Sequence, residues 1–262
     1  MIRLIKRNKE IIWNLALNDF ATKYAGSIFG TFWAFLQPIM TVLIYACVFQ
    51  YGLRSTSPVE GVSYLFWFVA GMIPWFFFAD CVRAITGVYI EYSYLVKKVV
   101  FDIELLPIIK IISSFFVHLV FLVLLFCVGF LCGESMPLQL IQLFYYVFAT
   151  VLLVYAIGKC TSSLVLFFRD LSQIVNIVLD ILLWATPIIW PYKNVVPEAF
   201  WWIIKTNPVF YLTEGYRDCF INKVWFWEKP EWTIYFWLIT VFMLALGNHV
   251  SAKMKPHFAD VL

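Results

Sequence analysis

The chain has 262 residues, 63% of them apolar and 13% charged, against roughly 45–50% and ~25% in a globular domain. Together with a mean hydropathy of +0.85, this excludes a soluble domain, a disordered chain, a coiled coil and a disulfide-stapled secreted fold, leaving an integral membrane protein. The formal charge of +3 points to no nucleic-acid partner. The six cysteines (47, 81, 127, 132, 160 and 219) lack metal-ligand spacing and read as small buried hydrophobes, with Cys132–Cys219 the one conceivable bond.

In chain order, residues 1–29 open with Arg3, Lys6, Arg7 and Lys9, and no cleavable signal peptide is expected. Trp13, Leu17, Phe20 and Tyr24 fall at i, i+4, i+7 and i+11, with Glu10, Asn14, Asn18 and Asp19 elsewhere on the wheel. That stripe predicts an amphipathic helix lying in the membrane interface, the alternative being a helix packed on a partner. Six stretches are long and apolar enough to cross a ~30 Å hydrocarbon core: roughly 30–51, 62–83, 106–131, 140–168, 173–190 and 232–250. Thirteen Lys and Arg lie on the side that carries both termini and six on the other. The excess of positive charge predicts cytoplasmic termini.

Asp80 and Arg83, at i and i+3 in the second span, read as a local ion pair. The 88–106 loop has an apolar ridge of Leu95, Val99 and Val100, with Lys97 and Lys98 off that face and Asp102 and Glu104 beyond. A soluble partner would dock on such a loop, unless it is merely an anchored hairpin. His118, in the third span, reads as a satisfied core histidine. In the fifth span Gln173, Asn176 and Asp180 fall at i, i+3 and i+7, and Trp184 continues that side. These polar groups cannot face lipid tails, so they face another helix, a second subunit or a water-filled path. With Tyr45 and Phe49 of the first span, they are the candidates for a substrate pathway. The outer segment, 190–231, is cut by Pro191, Pro197 and Pro208 into short apolar pieces, which read as re-entrant or interfacial helices before the last span. Its tryptophans, Trp201 and Trp202 among them, form either an interfacial belt or flat faces beside a path for a ring-containing substrate.

Enzymatic motifs are missing. The one Gly-Lys pair, Gly158-Lys159, has Leu153 where a phosphate-cradling loop needs glycine and Cys160 where it needs Ser or Thr. No catalytic residue, metal site or cofactor is therefore expected in this chain. A membrane-embedded transferase acting on lipid-linked sugars is the competing reading. It would need a catalytic cluster, and Glu198, Glu214, Asp218, Glu228 and Glu231 are scattered.

Several segments resemble a known family. Lys23-Tyr-Ala-Gly-Ser-Ile-Phe-Gly-Thr-Phe-Trp-Ala-Phe-Leu-Gln-Pro38 is similar to the signature opening the first span of ABC-2 type permeases that export cell-surface polysaccharides: O-antigen, capsule and teichoic acid. Matches follow in order at Gly71-Met-Ile-Pro-Trp-Phe-Phe77, Val96-Lys-Lys-Val-Val-Phe101, Leu106-Pro107, Phe167-Phe-Arg-Asp-Leu171, Thr186-Pro-Ile-Ile189, Asn207-Pro208 and Tyr216-Arg217. The ending, His257-Phe-Ala-Asp-Val-Leu262, is most like the O-antigen type, which serves lipopolysaccharide biosynthesis. Lys23 and Ala25 stand where arginine and a second polar residue are common, and Phe101-Asp102 where Phe-Pro is usual.

The resemblance implies an all-α membrane domain over 1–262, divided into an interface helix (1–29), spans one to five (30–190), an extracytoplasmic re-entrant region (191–231), and span six with a cytoplasmic tail (232–262). It implies a homodimeric pore in the cytoplasmic (inner) membrane, in contact with membrane lipids and paired with two copies of a separate ATPase subunit that holds ATP and Mg. It also implies an undecaprenyl-linked polysaccharide as cargo and a coupling helix over 91–104, whose Tyr94, Leu95, Lys97, Lys98 and Val99 meet the ATPase.

Overall fold

The computed structural model describes residues 6–23, 29–52, 57–96 and 102–258. These are mainly helical, with no strand among them. Among the described residues four helices are long and apolar enough to cross a membrane: Tyr64–Thr86, Ile103–Leu131, Leu138–Val165 and Pro230–His257. They correspond to the expected second, third, fourth and sixth spans. Their regular α-helical parts are α3 (Tyr64–Thr86), α6 (Leu106–Leu131), α7 (Leu143–Val165) and α12 (Pro230–Met254). Proline stands in the first turn of α6 and α12, where its missing N–H costs no helical hydrogen bond.

Two apolar helices are shorter. The first, α2 (Trp33–Ala46), passes into a π-helical segment over Cys47–Gly52. The other, α8 (Leu171–Ala185), has 15 residues, about 22 Å at the rise of a helix and less than a ~30 Å core. The expected fifth span ran to 190. The helix ends earlier because Pro187 disfavours helical backbone at the residue before it, and Thr186 is extended at φ −87°, ψ 134°.

α3 is the centre of the bundle, with 18 of its 23 residues buried. α6, α7 and α11 (Pro208–Arg217) pack around it. α12 lies along α7, where a Cβ on Gly247 would stand 2.7 Å from the Ala156 carbonyl oxygen. Only glycine permits so close an approach. All six cysteines are free.

At the 86–106 end, α1 (Lys9–Lys23) packs on α6 through Ile12, Ala16 and Asp19. The expected stripe points the other way: Trp13 and Leu17 are exposed, and Trp13 and the half-buried Phe20 set their rings edge-on to Phe116. Tyr24 lies outside the described residues. The chain then makes two short turns, α4 (Val88–Glu91) and α5 (Ser93–Val96). At the opposite end, α9 (Tyr192–Val195), α10 (Trp201–Thr206) and α11 form the short helices expected between Trp190 and the last span.

Candidate functional site

α8 has a single buried residue, Leu179. Ile174, Ile177, Val178, Ile181 and Trp184 are exposed, and so is Gln173, while Asn176 is half-buried. The Asp180 side chain is 75% exposed. Arg83 of α3 reaches across to this face, donating from Nε to Asn176 Oδ1 and from Nη2 to Asp180 Oδ1, both at 3.3 Å. A polar stripe and its cation therefore lie open on one apolar side of the bundle.

Beside it, a cavity of about 430 Å³ opens between α2, α3, α6 and α8, lined by Tyr45, Trp75, Asp80, Arg83, Ser114 and His118 among others. Asp80 accepts from Lys23 Nζ at 2.7 Å and from Ser114 Oγ at 2.5 Å. The expected Asp80–Arg83 pair is not formed. One helical turn apart, each side chain is offered a partner by a different neighbour: Asp80 by α1 and α6, Arg83 by α8. His118 is 1% exposed and stacks on Phe77 at a centroid distance of 4.4 Å. Its Nε2 is 2.9 Å from Tyr216 Oη, but Nδ1 has no hydrogen-bond partner among the described residues. The sequence reading of a satisfied core histidine is thus half right.

At the 190–230 end, Arg217 is 1% exposed. Its Nη1 donates to the Pro187 carbonyl at 2.8 Å and to Glu214 Oε1 at 2.7 Å, and its Nη2 to the Ile188 carbonyl at 2.6 Å. The guanidinium lies 3.6 Å over the Trp67 ring. These carbonyls are free to accept because the chain has left helical geometry after Ala185, and in a membrane such groups must find partners within the protein. Asn207 Nδ2 donates to Thr186 Oγ1 at 2.7 Å, and Tyr64 Oη to the Ile189 carbonyl at 2.8 Å. A Cβ on Gly71 would meet Arg217 Nη2 at 2.5 Å, so glycine there makes room for the guanidinium. Four separate sequence signatures (Gly71, Thr186–Ile189, Asn207-Pro208 and Tyr216-Arg217) converge on this one anchor.

At the 86–106 end, Lys110 Nζ pairs with Asp19 at 2.6 Å and Glu91 at 2.7 Å. Tyr92 Oη also donates to Asp19, at 2.6 Å; burial, with that hydrogen bond, pushes the Tyr92 phenol pKa up. Asp19 was expected on the polar face of its helix and is instead 6% exposed. The knot ties α1, the α4–α5 segment and α6 together.

Residues 11–221 match the family described as ABC-2 type transporter. The chain belongs to this ABC-2 family. It is 27% identical over 246 residues to an O-antigen export system permease protein RfbA of Klebsiella pneumoniae, covering 93% of this chain and 92% of the relative. A protein of the same description from Myxococcus xanthus is 24% identical over 264 residues, 99% of each chain.

Within this ABC-2 chain the expected site residues divide. Gln173, Asn176, Asp180 and Trp184 share the open face of α8, and Tyr45 lines the adjacent cavity. Phe49 packs against the main core instead. Trp202 is 66% exposed. Trp201 is turned inward, donating from Nε1 to the Val196 carbonyl at 2.8 Å, edge-on to Tyr192 and beneath Lys205. Leu95 packs into the cluster of Ile12, Tyr92, Leu105 and Ile109 rather than facing outward. The outward residues of that segment are Ile90 and Tyr94, with Glu91 beside them. Lys97, Lys98 and Val99 lie outside the described residues. Sequence reasoning missed Arg217 as an anchor and Lys110 as a strut; a lone cation inside an apolar run, as at Lys110, was the available signal.

Proposed function

We propose that this chain is the membrane-spanning pore subunit of an ABC exporter that moves a lipid-linked cell-surface polysaccharide of the O-antigen type. It works as a homodimer with two copies of a separate ATPase subunit, which holds ATP and Mg. The open polar face of α8 carries the reading. Polar and charged groups on an apolar membrane helix need a non-lipid neighbour, and a second subunit or a hydrated polymer supplies one. Family membership and the similarity to two O-antigen export permeases support the same assignment.

In this arrangement α2 and α8 complete six spans with the four longer helices, both termini are cytoplasmic, and α1 lies in the cytoplasmic interface of the inner membrane with Trp13 and Leu17 toward lipid. The ATPase docks on the α4–α5 segment through Ile90 and Tyr94, continuing into Lys97, Lys98 and Val99. Trp202 and the stacked pair Trp225–Trp227, 4.6 Å apart, meet sugar rings at the exit.

The test is genetic and biochemical together. Host cells lacking the chain should lose surface polysaccharide and regain it on complementation, and the affinity-purified chain should bring an ABC ATPase with it. Unchanged surface polysaccharide in the deletion strain would overturn the assignment.

A further inference from the structure

We propose that the cavity between α2, α3, α6 and α8 is a hydrated binding site for a neutral sugar ring, taking the lipid-proximal end of the glycan before it enters the pore; this rests on the export reading above. At about 430 Å³ it falls within the roughly 300–1,000 Å³ range of small-molecule sites. Asp80 lies six residues from the inner end of α3, and His118 twelve residues into α6. The cavity thus lies about 9 Å to about 18 Å along these helices from the 86–106 end of the bundle, the cytoplasmic end on the export reading.

The lining decides what it holds. The His118 ring closes one end of the cavity, its Nδ1 buried and without a hydrogen-bond partner among the described residues. One turn below on the same helix, Ser114 carries Asp80 into the same space. A lipid acyl chain would leave Asp80, its partner Lys23 and Ser114 against hydrocarbon, so an apolar occupant is disfavoured. Water or a hydroxyl satisfies them.

Charge separates a sugar from a phosphate. Lys23 is paired with Asp80, and Arg83 with Asp180, so the two cations of the site are balanced by two carboxylates. A diphosphate would have to break both pairs and then face both carboxylates. A neutral polyol breaks neither; it inserts its hydroxyls among groups that already alternate donor and acceptor. Trp33, Tyr45, Trp75 and Phe76 supply aromatic walls, flat apolar faces against which the C–H face of a sugar ring packs.

Ser114→Cys and Val117→Cys place thiols on this lining. Inside-out membrane vesicles are treated with a small water-soluble methanethiosulfonate. Modification is read at each engineered position by peptide mass spectrometry, so that the six native cysteines do not count. Vesicles come from cells making the glycan, with transport arrested by a hydrolysis-deficient ATPase subunit, and from cells blocked before the first sugar is added, which keep the bare polyprenyl phosphate. Both thiols should react in the blocked cells, and reaction should fall at least fivefold when the glycan is made. No reaction at either position in blocked cells means a dry or phosphate-filled cavity and overturns the proposal, as does equal reaction in the two kinds of cell. Export by the unaltered chain is measured separately, in glycan-making cells that carry the wild-type ATPase subunit. A failed protection pattern with export intact overturns the sugar site alone, whereas absent export overturns the parent reading.

Discussion

Replacing Arg217 by alanine removes the charged group that, with Asn207, holds α11 to the break after α8. Glu214, whose side chain is 14% exposed, loses its cation, and the carbonyls of Pro187 and Ile188 lose their donors. Removing one partner of a buried ion pair costs about 3–5 kcal/mol. At roughly 2–4 °C per kcal/mol for a chain of this size, the melting temperature of the detergent-purified protein should fall by about 6–20 °C. Arg217→Lys keeps the charge but loses the fork that reaches several acceptors at once and the flat face over Trp67, so its loss should be intermediate. Gly71 supplies the decisive control. Gly71→Ala alone puts a Cβ 2.5 Å from Arg217 Nη2, which the Ile188 carbonyl holds in place, and it should destabilise. In the Arg217→Ala background the clash is gone, and the same change should be neutral or gain up to about 1 kcal/mol of helix propensity. A double-mutant cycle read by thermal melting measures this coupling. If the two losses simply add, Gly71 is not making room for Arg217 and the anchor is misassigned.

Other perturbations separate residues that the sequence grouped together. Tyr94→Asp should leave the level of membrane-inserted protein near wild type while the ATPase subunit is lost on affinity purification; Leu95→Asp, which buries a charge among Ile12, Leu105 and Ile109, should instead lower the protein level itself. Lys110→Met leaves the buried Asp19 without its cation and with only the Tyr92 hydroxyl, at a cost of about 3–5 kcal/mol, and limited proteolysis should then release α1 faster than in the wild type. Cysteines at Asn176 and Asp180 should cross-link between subunits or react with water-soluble thiol reagents; labelling no greater than at an outward position such as Val123 would refute the polar-face reading. Trp202→Ala should lower surface polysaccharide at normal protein level, whereas Trp201→Ala should lower both, because its indole holds the Val196 carbonyl and the Tyr192 ring.

The long spans were legible because their signal is length itself: an uninterrupted apolar run such as Leu106–Leu131 has no competing soluble interpretation. The end of α8 was in the sequence too, at Thr186-Pro187, although a hydropathy count carried the fifth span on to 190 through residues that are apolar but not helical. What the pattern could not give was direction. In water an apolar stripe faces inward, so periodicity tells inside from outside. In a membrane both the lipid side and the protein side of a helix are apolar, and that information is lost. The aromatic stripe of Trp13, Leu17 and Phe20 was visible, but the face packed on the bundle is Ile12, Ala16 and Asp19, whose third member looks like a solvent residue until Lys110 is brought to it from 91 positions away. Leu95 fails in the same way, since an apolar residue in a charged loop serves equally to dock a partner or to pin the loop. Arg217 shows the limit most clearly. Charge counting placed it among the six Lys and Arg of the outer side, yet it is buried and paired with Glu214 within the fold. Its neighbours Gly71 and Pro187-Ile188 were noticed in two separate motifs, and nothing in one dimension says that a missing Cβ on one helix is the space occupied by a guanidinium from another.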